Sequence, residues 1–528
     1  MAAQTINYDE MNALVEERIS IIRDRWLNDP TYPVTEKEHQ IQGMRWSIQK
    51  ELGVFLNPKT NKYIPQKKCG FICDEMGLGK TTVILGTWVG NFSSGQRTLV
   101  VVPPALLNQW FEKIQEWLGF TPYKFHGHMG KISREELMTS LEEAPIVLTT
   151  YSMVSTRGSH KGKGKNGKNY HSLLWDIEWT RVIYDESHHL RNEKSNKHQG
   201  AKKIKSQITW LLTGTPIQNR NNDLYSQLKI MGIYDEFLEK SQLEKVEFLY
   251  PYVKLRTKES IGLELPPLTV ETVNITQYDS PQEKIIIKYI HSLLNFTNVE
   301  VTKNNVENQI LNFLNTDTPL PILTRSRQAC VCPSIIKSYL DTEYRRGNIP
   351  HNVEKLAVKT HTKIRKITEK IVEEKKEGNR VLVFCHYVEE MDLLKRLLTE
   401  QGVGVEMLNG KTTTKQRRII PKLTPDALLV QVQSCCEGLN LQQFSTVIFT
   451  SPHWNPAVED QAIARAHRIG QEKPVKVYRY ICGGLGSSTV TLDQYCMSVQ
   501  DAKRELMAGF KKESVDKLRS KDSSQVAV

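Results

Sequence analysis

Nowhere in these 528 residues does an apolar run reach the roughly eighteen positions that a membrane-spanning helix requires. The opening segment MAAQTINYDEMNALVEERIS is acidic and amphipathic, whereas a secretory signal is basic and then apolar. Membrane insertion and secretion are set aside, and the protein is expected to stay inside a cell. The 9 cysteines are odd in number and scattered. Neither the Cys69/Cys73 nor the Cys330/Cys332 spacing gives the paired CxxC pattern of a structural zinc site, so reduced thiols are expected. No fixed-period repeat runs through the chain, which excludes a solenoid. Low complexity is confined to Arg157–Asn169, RGSHKGKGKNGKN, a flexible basic loop that is either a nucleic-acid contact or localisation signal, or simply a solvated insertion. The tail from Lys511 to Val528 is polar and expected to fray.

What remains is ordinary globular material with a cationic excess. Lys plus Arg number 71 against 59 for Asp plus Glu, a net charge of +12, which suggests an anionic partner without identifying it. The length suits about three to four domains.

Asp9 to Trp26 carries charged and apolar groups at helical spacing, and Pro30 and Pro33 end that element. From Lys68 the pattern changes to short apolar runs of the kind that fill a buried parallel sheet: Cys69–Cys73, Thr98–Val102, Pro145–Tyr151, Arg181–Tyr184 and Ile208–Thr213. A mostly helical stretch is expected from about Asp223 to Thr360. The α/β rhythm then returns at Val381–Cys385, Val403–Leu408, Ala427–Val432, Thr446–Thr450 and Val475–Ile481. The expectation is α/β, with two similar lobes and helical insertions between them.

Three motifs carry chemistry. DEMGLGKTT, Asp74–Thr82, sits between a strand and a helix. Gly77 and Gly79 let backbone N–H groups face a phosphate, Lys80 reaches the outer phosphates, and Thr81 ligates magnesium. The strict GxxxxGK[ST] spacing wants glycine where Asp74 stands. YDESHH, Tyr184–His189, ends a strand, where Asp185 can hold magnesium and Glu186 can orient and deprotonate water. A zinc reading of His188 and His189 lacks a second ligand cluster, so a histidine relay to the LTGTP segment is the better expectation. QAIARAHRIGQ, Gln461–Gln471, reads as helical, with Arg465 and Arg468 three apart on one face, ready to meet a charge.

Together, and in this order, DEMGLGKT, DESHH, LTGTPIQN (Leu212–Asn219), EGLNLQ (Glu437–Gln442), WNP (Trp454–Pro456) and QAIARAHRIGQ resemble the Swi/Snf-type ATPases of helicase superfamily two. HQIQGMRW, VVVPPALLNQW, LTTYSM, LRTK and RQACVCP look like further blocks of that family, and the resemblance covers roughly residues 34 to 510. It implies two RecA-like parallel-sheet lobes. The expected layout is an N-terminal helical extension over 1–30, lobe 1 over 31–260, a helical insertion or linker over 261–355, lobe 2 over 356–485, and a C-terminal brace and tail over 486–528.

The resemblance also implies cofactors and roles. ATP would lie on Asp74, Glu75, Met76, Gly77, Leu78, Gly79, Lys80, Thr81 and Thr82, with Gln40 reading adenine. Magnesium would sit on Thr81 and Asp185, and Glu186 would act on the water. Gln461, Arg465 and Arg468 would meet the γ-phosphate from the second lobe. Thr213 and Thr215 would couple hydrolysis to movement, while Thr149, Gly438, Asn440 and Trp454 would serve coupling and DNA tracking. Cys435 and Cys436 replace a common glycine pair, Ser451 and His453 stand where aspartates are frequent, and Leu255 stands where arginine is usual. These departures touch coupling and spare the hydrolytic residues.

The expected activity is ATP-driven translocation along double-stranded DNA without strand separation, remodelling protein–DNA complexes in chromatin, transcription or repair, with nucleosomes or transcription machinery as further partners and no membrane. A strand-separating DNA or RNA helicase is the first alternative, and a non-catalytic DNA-binding scaffold is the alternative from another class. No acetyl-lysine reader, chromodomain or RING pattern is visible. A core of this kind fits a subunit of a larger complex or a factor of a large DNA virus.

Overall fold

The computed structural model describes residues 7–57, 60–127, 132–156, 171–216, 221–294, 302, 320–348, 361–432, 439–486 and 489–505. The basic loop Arg157–Asn169, the tail from Lys511, and Cys435, Cys436 and Gly438 lie outside these residues. The chain divides between Leu263 and Glu264 into two compact units. No helix among the described residues is long and apolar enough to cross a membrane.

The first unit carries a seven-stranded sheet in the order β5-β6-β4-β7-β8-β3-β9, parallel throughout. Its strands are β3 (Cys69–Ile72), β4 (Thr98–Val102), β5 (Tyr123–Phe125), β6 (Ile146–Thr150), β7 (Glu178–Asp185), β8 (Lys205–Leu212) and β9 (Val253–Lys254), preceded by an antiparallel pair, β1 (Val54–Asn57) and β2 (Lys62–Pro65). Every residue of β3, β4 and β6 is buried, which is why these strands read as unbroken apolar runs. Parallel neighbours require crossovers, and helices supply most of them. The leading helix α1 (Tyr8–Ile22) is N-capped by Asn7, whose side chain accepts from Asp9 N, and it widens into a π turn over Arg23–Leu27 that buries Trp26. Helices α2 (Glu38–Leu52), α3 (Lys80–Asn91) and α4 (Leu107–Leu118) follow.

A buried ion pair ties these layers together. Arg181 on β7 grips the Glu51 carboxylate of α2 through two nitrogens and donates to Thr98 Oγ1 at 3.1 Å. Trp210 Nε1 and Asn91 Nδ2 donate to the same carboxylate, each at 2.9 Å. Satisfying the carboxylate from β7, β8 and α3 together makes its burial tolerable. Trp210 lies over Gly70 of β3, where a Cβ would fall 2.1 Å from the indole ring.

The second unit holds a six-stranded parallel sheet in the order β10-β15-β14-β11-β13-β12. Its strands are β10 (Leu268–Ile275), β11 (Val381–Cys385), β12 (Val405–Leu408), β13 (Ala427–Gln431), β14 (Thr446–Phe449) and β15 (Val475–Cys482). β10 falls inside the stretch expected to be helical. LTVETVNI is rich in the β-branched residues of a strand, but its apolar positions do not alternate regularly, and the Lys, Glu and Asn content around it hid the strand. Helices α5 (Pro281–Ser292), α6 (Leu320–Val331) and α7 (Thr362–Lys376) do lie within or beyond that stretch. At the start of α7 the buried Lys363 Nζ donates to Asp493 Oδ2 at 2.6 Å and to the carbonyls of Thr450 and Tyr480. Burial pulls its pKa down, but the Asp493 charge and hydrogen bond, together with the neighbouring Cys482 and Cys330, raise it on balance.

Lys50, next to Glu51, is the contrasting case. It is fully buried, 4.6 Å from the centre of the Phe55 ring and 5.5 Å from that of Tyr252, and its Nζ has no hydrogen-bond partner among the described residues. Burial brings its pKa down from 10.5 to about 7. The unfolded chain therefore binds more protons between about pH 7 and 10, so stability should rise with pH across that window, by at most about 1.4 kcal/mol per unit. Thermal midpoints of the wild type and Lys50→Met at pH 7 and pH 9 should diverge, with the variant losing most of the rise. Parallel pH profiles would refute this account of Lys50.

Candidate active site

The loop between β3 and α3 is shaped by its own sequence. Gly77 (φ 91°) and Gly79 (φ 86°) take left-handed conformations that side chains resist, and they turn the chain into the N-terminus of α3 at Lys80. Among the described residues nothing lies within 4 Å of where a Cβ on Gly77 would stand. A loop with that room at Gly77, leading into the positive end of a twelve-residue helix, fits an anionic phosphate chain.

Contacts from several segments fix this loop. Lys80 Nζ donates to Asp74 O at 2.7 Å. Gln40 Nε2 donates to Leu78 O at 3.2 Å, and His39 Nε2 lies 3.1 Å from the same carbonyl. Gln40 is thus packed on the loop itself, where a Cβ on Gly79 would stand 2.3 Å from its Nε2. The carboxylate of Asp74, fully buried, forms a bidentate pair with Arg256, with Arg256 Nε at 3.0 Å from Oδ1. Arg256 also donates to His39 O. The chain after β9 delivers it: Cys73 N donates to Lys254 O at 2.7 Å and Glu75 N to Arg256 O at 2.8 Å, extending the ladder beyond the strand. Lys258 N donates to Glu75 Oε2 at 2.8 Å. Of the remaining loop residues, Thr81 is half-buried and Thr82 is buried.

Asp185 ends β7, two strands from β3. Its Oδ2 accepts from Trp110 Nε1 of α4 at 2.7 Å, and Tyr151 donates its hydroxyl to Asp185 O at 2.8 Å. Burial first, and the neighbouring Glu186 charge second, push Asp185 up to about 6; the Trp110 hydrogen bond and Lys80 oppose them. Lys80 is close enough for its charge to act there, so the phosphate loop and the DES segment share one locale. Glu186 adopts φ 51°, ψ 50°, a left-handed conformation that costs a non-glycine residue on the order of 1–3 kcal/mol and recurs at functional sites. A hydroxyl and a carboxylate, Thr81 and Asp185, form the hard oxygen set that magnesium prefers.

Thr213 and Thr215 join this locale through His188. Its Nδ1 lies 3.3 Å from Glu186 Oε2 and 3.2 Å from Thr213 Oγ1, and Thr213 Oγ1 accepts from Thr215 N at 3.2 Å. A Cβ on Gly214 would lie 3.0 Å from Met76 Cγ and 3.6 Å from Lys80 Nζ. Gln227 braces the segment from behind, donating to Pro216 O at 2.8 Å while Ser187 donates to its Oε1. Thr149 stands apart: fully buried on β6, it donates to Phe125 O and offers nothing to a strand at the surface. Arg256, Trp110, Tyr151 and Gln227 were not singled out from the sequence, although LRTK, the VVVPP block and LTTYSM contain the first three.

In the second unit WNP starts a helix. Asn455 caps it, accepting from Ala457 N at 3.1 Å, and Pro456 takes the first position of α8 (Pro456–Ala466). Gln461 is buried on α8. The reading of Arg465 and Arg468 as one helix face is corrected. The helix stops at Ala466, His467 leaves helical geometry at ψ 81°, and Arg468 lies in the turn that follows. Gln471 enforces the stop by donating to the carbonyls of Ala466, Gln442 and Phe444, and Gly470 (φ 93°) completes the turn. The charge of Arg465 still reaches Arg468: burial first, and then that charge, lowers the pKa of Arg468. Asn440 is exposed, with Leu441 N donating to Arg465 O at 3.1 Å beside it. Trp454 is half-buried, edge-on to Tyr495 and 5.5 Å from Arg327. Ser451 donates to Asp493 Oδ1, and His453 stacks on His386 with its pKa driven to about 4 by burial and then by Arg327.

A phosphate-binding loop, a strand-end Asp-Glu pair and a second parallel-sheet unit bearing paired arginines define a helicase-like ATPase. The model of the SNF2-related domain matches residues 39–335 and that of the helicase conserved C-terminal domain matches residues 362–470, and the chain belongs to this family of DNA-dependent ATPases. It is 25% identical to a probable global transactivator of Orgyia pseudotsugata multicapsid polyhedrosis virus, over 88% of this chain and 89% of that one. It is 24% identical to a putative SWI/SNF-related matrix-associated actin-dependent regulator of chromatin from Arabidopsis thaliana, over 98% and 76%. An uncharacterized ATP-dependent helicase of Mycoplasma genitalium is 27% identical over 85% of this chain and 41% of its own. Among solved structures, the Sulfolobus solfataricus SWI2/SNF2 ATPase core in complex with dsDNA aligns over 87% of this chain and 90% of its own, with 22% identity and a TM-score of 0.37.

Asp74→Gly would write the strict glycine into the loop and leave Arg256 buried without its carboxylate. We expect a destabilisation of about 3–5 kcal/mol and nucleotide binding weakened tenfold or more. The double replacement Asp74→Leu/Arg256→Met should lose less stability than Asp74→Gly. Thermal denaturation and titration with a fluorescent ATP analogue read both effects, and an Asp74→Gly protein as stable as wild type would remove the pair from this role.

Proposed function

We propose that the chain is a translocase on double-stranded DNA, driven by ATP hydrolysis, that displaces or repositions proteins bound there. The observation that carries this reading is the contact chain Glu186–His188–Thr213–Thr215, which connects the residue suited to activating water with a segment suited to transmitting movement. The loop amides and Lys80 bind the phosphates, and Gln40 stands beside the loop to read adenine. Magnesium, held by Thr81 and Asp185, would supply charge neutralisation to the phosphates. Glu186 orients the attacking water and receives its proton. Gln461, Arg465 and Arg468 are the groups we assign to the γ-phosphate, because a loose phosphoryl-transfer transition state is stabilised by added positive charge.

Movement along any duplex requires contacts to phosphates and not to bases, which suits a chain of net charge +12. Asn440, Gly438 and Trp454 are assigned to this surface. Chromatin regulation is named for the Arabidopsis relative and transactivation for the viral one, and we place this chain in the same kind of setting, acting in a nuclear or viral DNA compartment on nucleosomes or transcription machinery.

Steady-state ATPase rates with no nucleic acid, duplex DNA, single-stranded DNA and RNA at fixed salt test the proposal. Duplex DNA should stimulate selectively. Glu186→Gln should lower kcat by about 10²–10⁴ while retaining nucleotide binding. His188→Ala should bind nucleotide and show a smaller ratio of duplex-stimulated to unstimulated rate. Stimulation by single strands alone, with strand displacement, would replace the translocase with a helicase; magnesium-dependent turnover that is absent altogether would leave a scaffold.

A further inference from the structure

We propose that His291, Cys330, Cys482 and Asp493 form a binding site for one zinc-class divalent ion inside the second unit, separate from the residues assigned to ATP. The thiols of Cys330 and Cys482 and a carboxylate oxygen of Asp493 lie within 4.8 Å of one another. Cys330 Sγ lies 3.5 Å from His291 Nε2. A tetrahedral ion with metal–sulfur bonds of about 2.3 Å and metal–nitrogen bonds of about 2.0 Å sets sulfur and nitrogen about 3.5 Å apart. The two sulfurs and the carboxylate oxygen, at most 4.8 Å apart, would close by about 1 Å, and the imidazole, already beside Cys330, would move further to complete the set. Two thiolates, an imidazole and a carboxylate are a donor set that zinc accepts.

The histidine is already prepared for the role. His291 Nδ1 lies 2.7 Å from Ile287 O, and because a carbonyl only accepts, Nδ1 carries the hydrogen and Nε2 directs its lone pair at Cys330. A metal-bound histidine is held by this kind of second contact. Asp493 is held too: Oδ2 accepts from Lys363 Nζ at 2.6 Å and Cys482 N at 3.1 Å, and Oδ1 from Ser451 Oγ at 2.6 Å. A carboxylate offers about four lone-pair sites, so these bonds leave room for a ligating pair. Cys482 Sγ now donates to Cys330 O at 3.0 Å. Binding replaces both thiol hydrogens with the ion and releases two protons. Two thiolates and the carboxylate then carry three negative charges, matched by a divalent ion and the Lys363 ammonium, so the buried cluster stays neutral. The four residues come from α5, α6, β15 and the segment after β15, and the ion would pin the inserted helices to the sheet.

The full-length chain, stripped with chelator and refilled with Zn(II) or Co(II), tests the site. We expect about one ion per chain to survive dialysis, and the cobalt form to show thiolate-to-metal charge transfer with tetrahedral d–d bands. Cys330→Ser/Cys482→Ser should lower retained metal at least tenfold, while Cys69→Ala, in the other unit, should not. The wild-type cobalt spectrum decides even where the double variant fails to fold: no charge-transfer band overturns the site. Metal retained undiminished by the double variant overturns it as well, as does a Cys330–Cys482 disulfide detected by thiol counting in the purified chain.

Discussion

The buried pair between Asp74 and Arg256 is the constraint on which the nucleotide site rests. A carboxylate with no solvent exposure is intolerable alone, and here it is matched in bidentate fashion by a guanidinium that the chain after β9 sets alongside the loop. With Asp74 anchored, its carbonyl faces Lys80 Nζ, and Leu78 O is held by Gln40 and His39. The loop is thereby fixed from α2, α3 and the segment after β9 before any phosphate arrives, which lowers the ordering cost of binding. The aspartate that breaks the strict phosphate-loop pattern is thus what holds the loop in place.

The carboxylates at the end of β7 present the opposite economy. Asp185 is pushed up to about 6 by burial and by Glu186, and Glu186 sits in left-handed backbone geometry. Neither feature stabilises the fold. Both are sustained by surroundings that over-determine the positions: Trp110 and Tyr151 on Asp185, and His188 between Glu186 and Thr213. The same histidine thus lies against both Glu186 and the LTGTP segment.

Continuous apolar runs made ten of the parallel strands legible, because strands covered on both faces have no polar positions to confuse the pattern. Strand β10 was hidden because this edge strand is exposed along most of its length, on both faces, and its residues resemble the composition around it. Arg468 reads as helical because spacing alone does not register the tertiary brake that Gln471 applies at Ala466. The motif residues were legible as chemistry, whereas their supports were not: Arg256 is 182 positions from Asp74, and Trp110 is 75 from Asp185. Cysteine spacing pointed to free thiols, which the described cysteines are, but it gave no sign that Cys330 meets Cys482 across 152 positions. Local spacing reports on neighbours in sequence, and a parallel sheet assembles its sites from strand ends far apart in the chain.

The second unit applies the first unit's logic with the charge reversed. Arg465 and Arg468 repel one another, and burial adds to the cost at Arg468. Electrostatics would separate them, so the backbone must hold them: Gln471 and Gly470 form the turn, and Leu441 N donates to Arg465 O. Like charges carried on a backbone that neutral hydrogen bonds fix are a preorganised focus of positive potential, because much of the reorganisation needed to meet an anion has been made during folding. Each unit therefore commits buried polar groups to holding charges of one sign where they are individually unfavourable. Within a single unit that arrangement only costs stability, and it acquires a purpose when a charge of the opposite sign is brought to it.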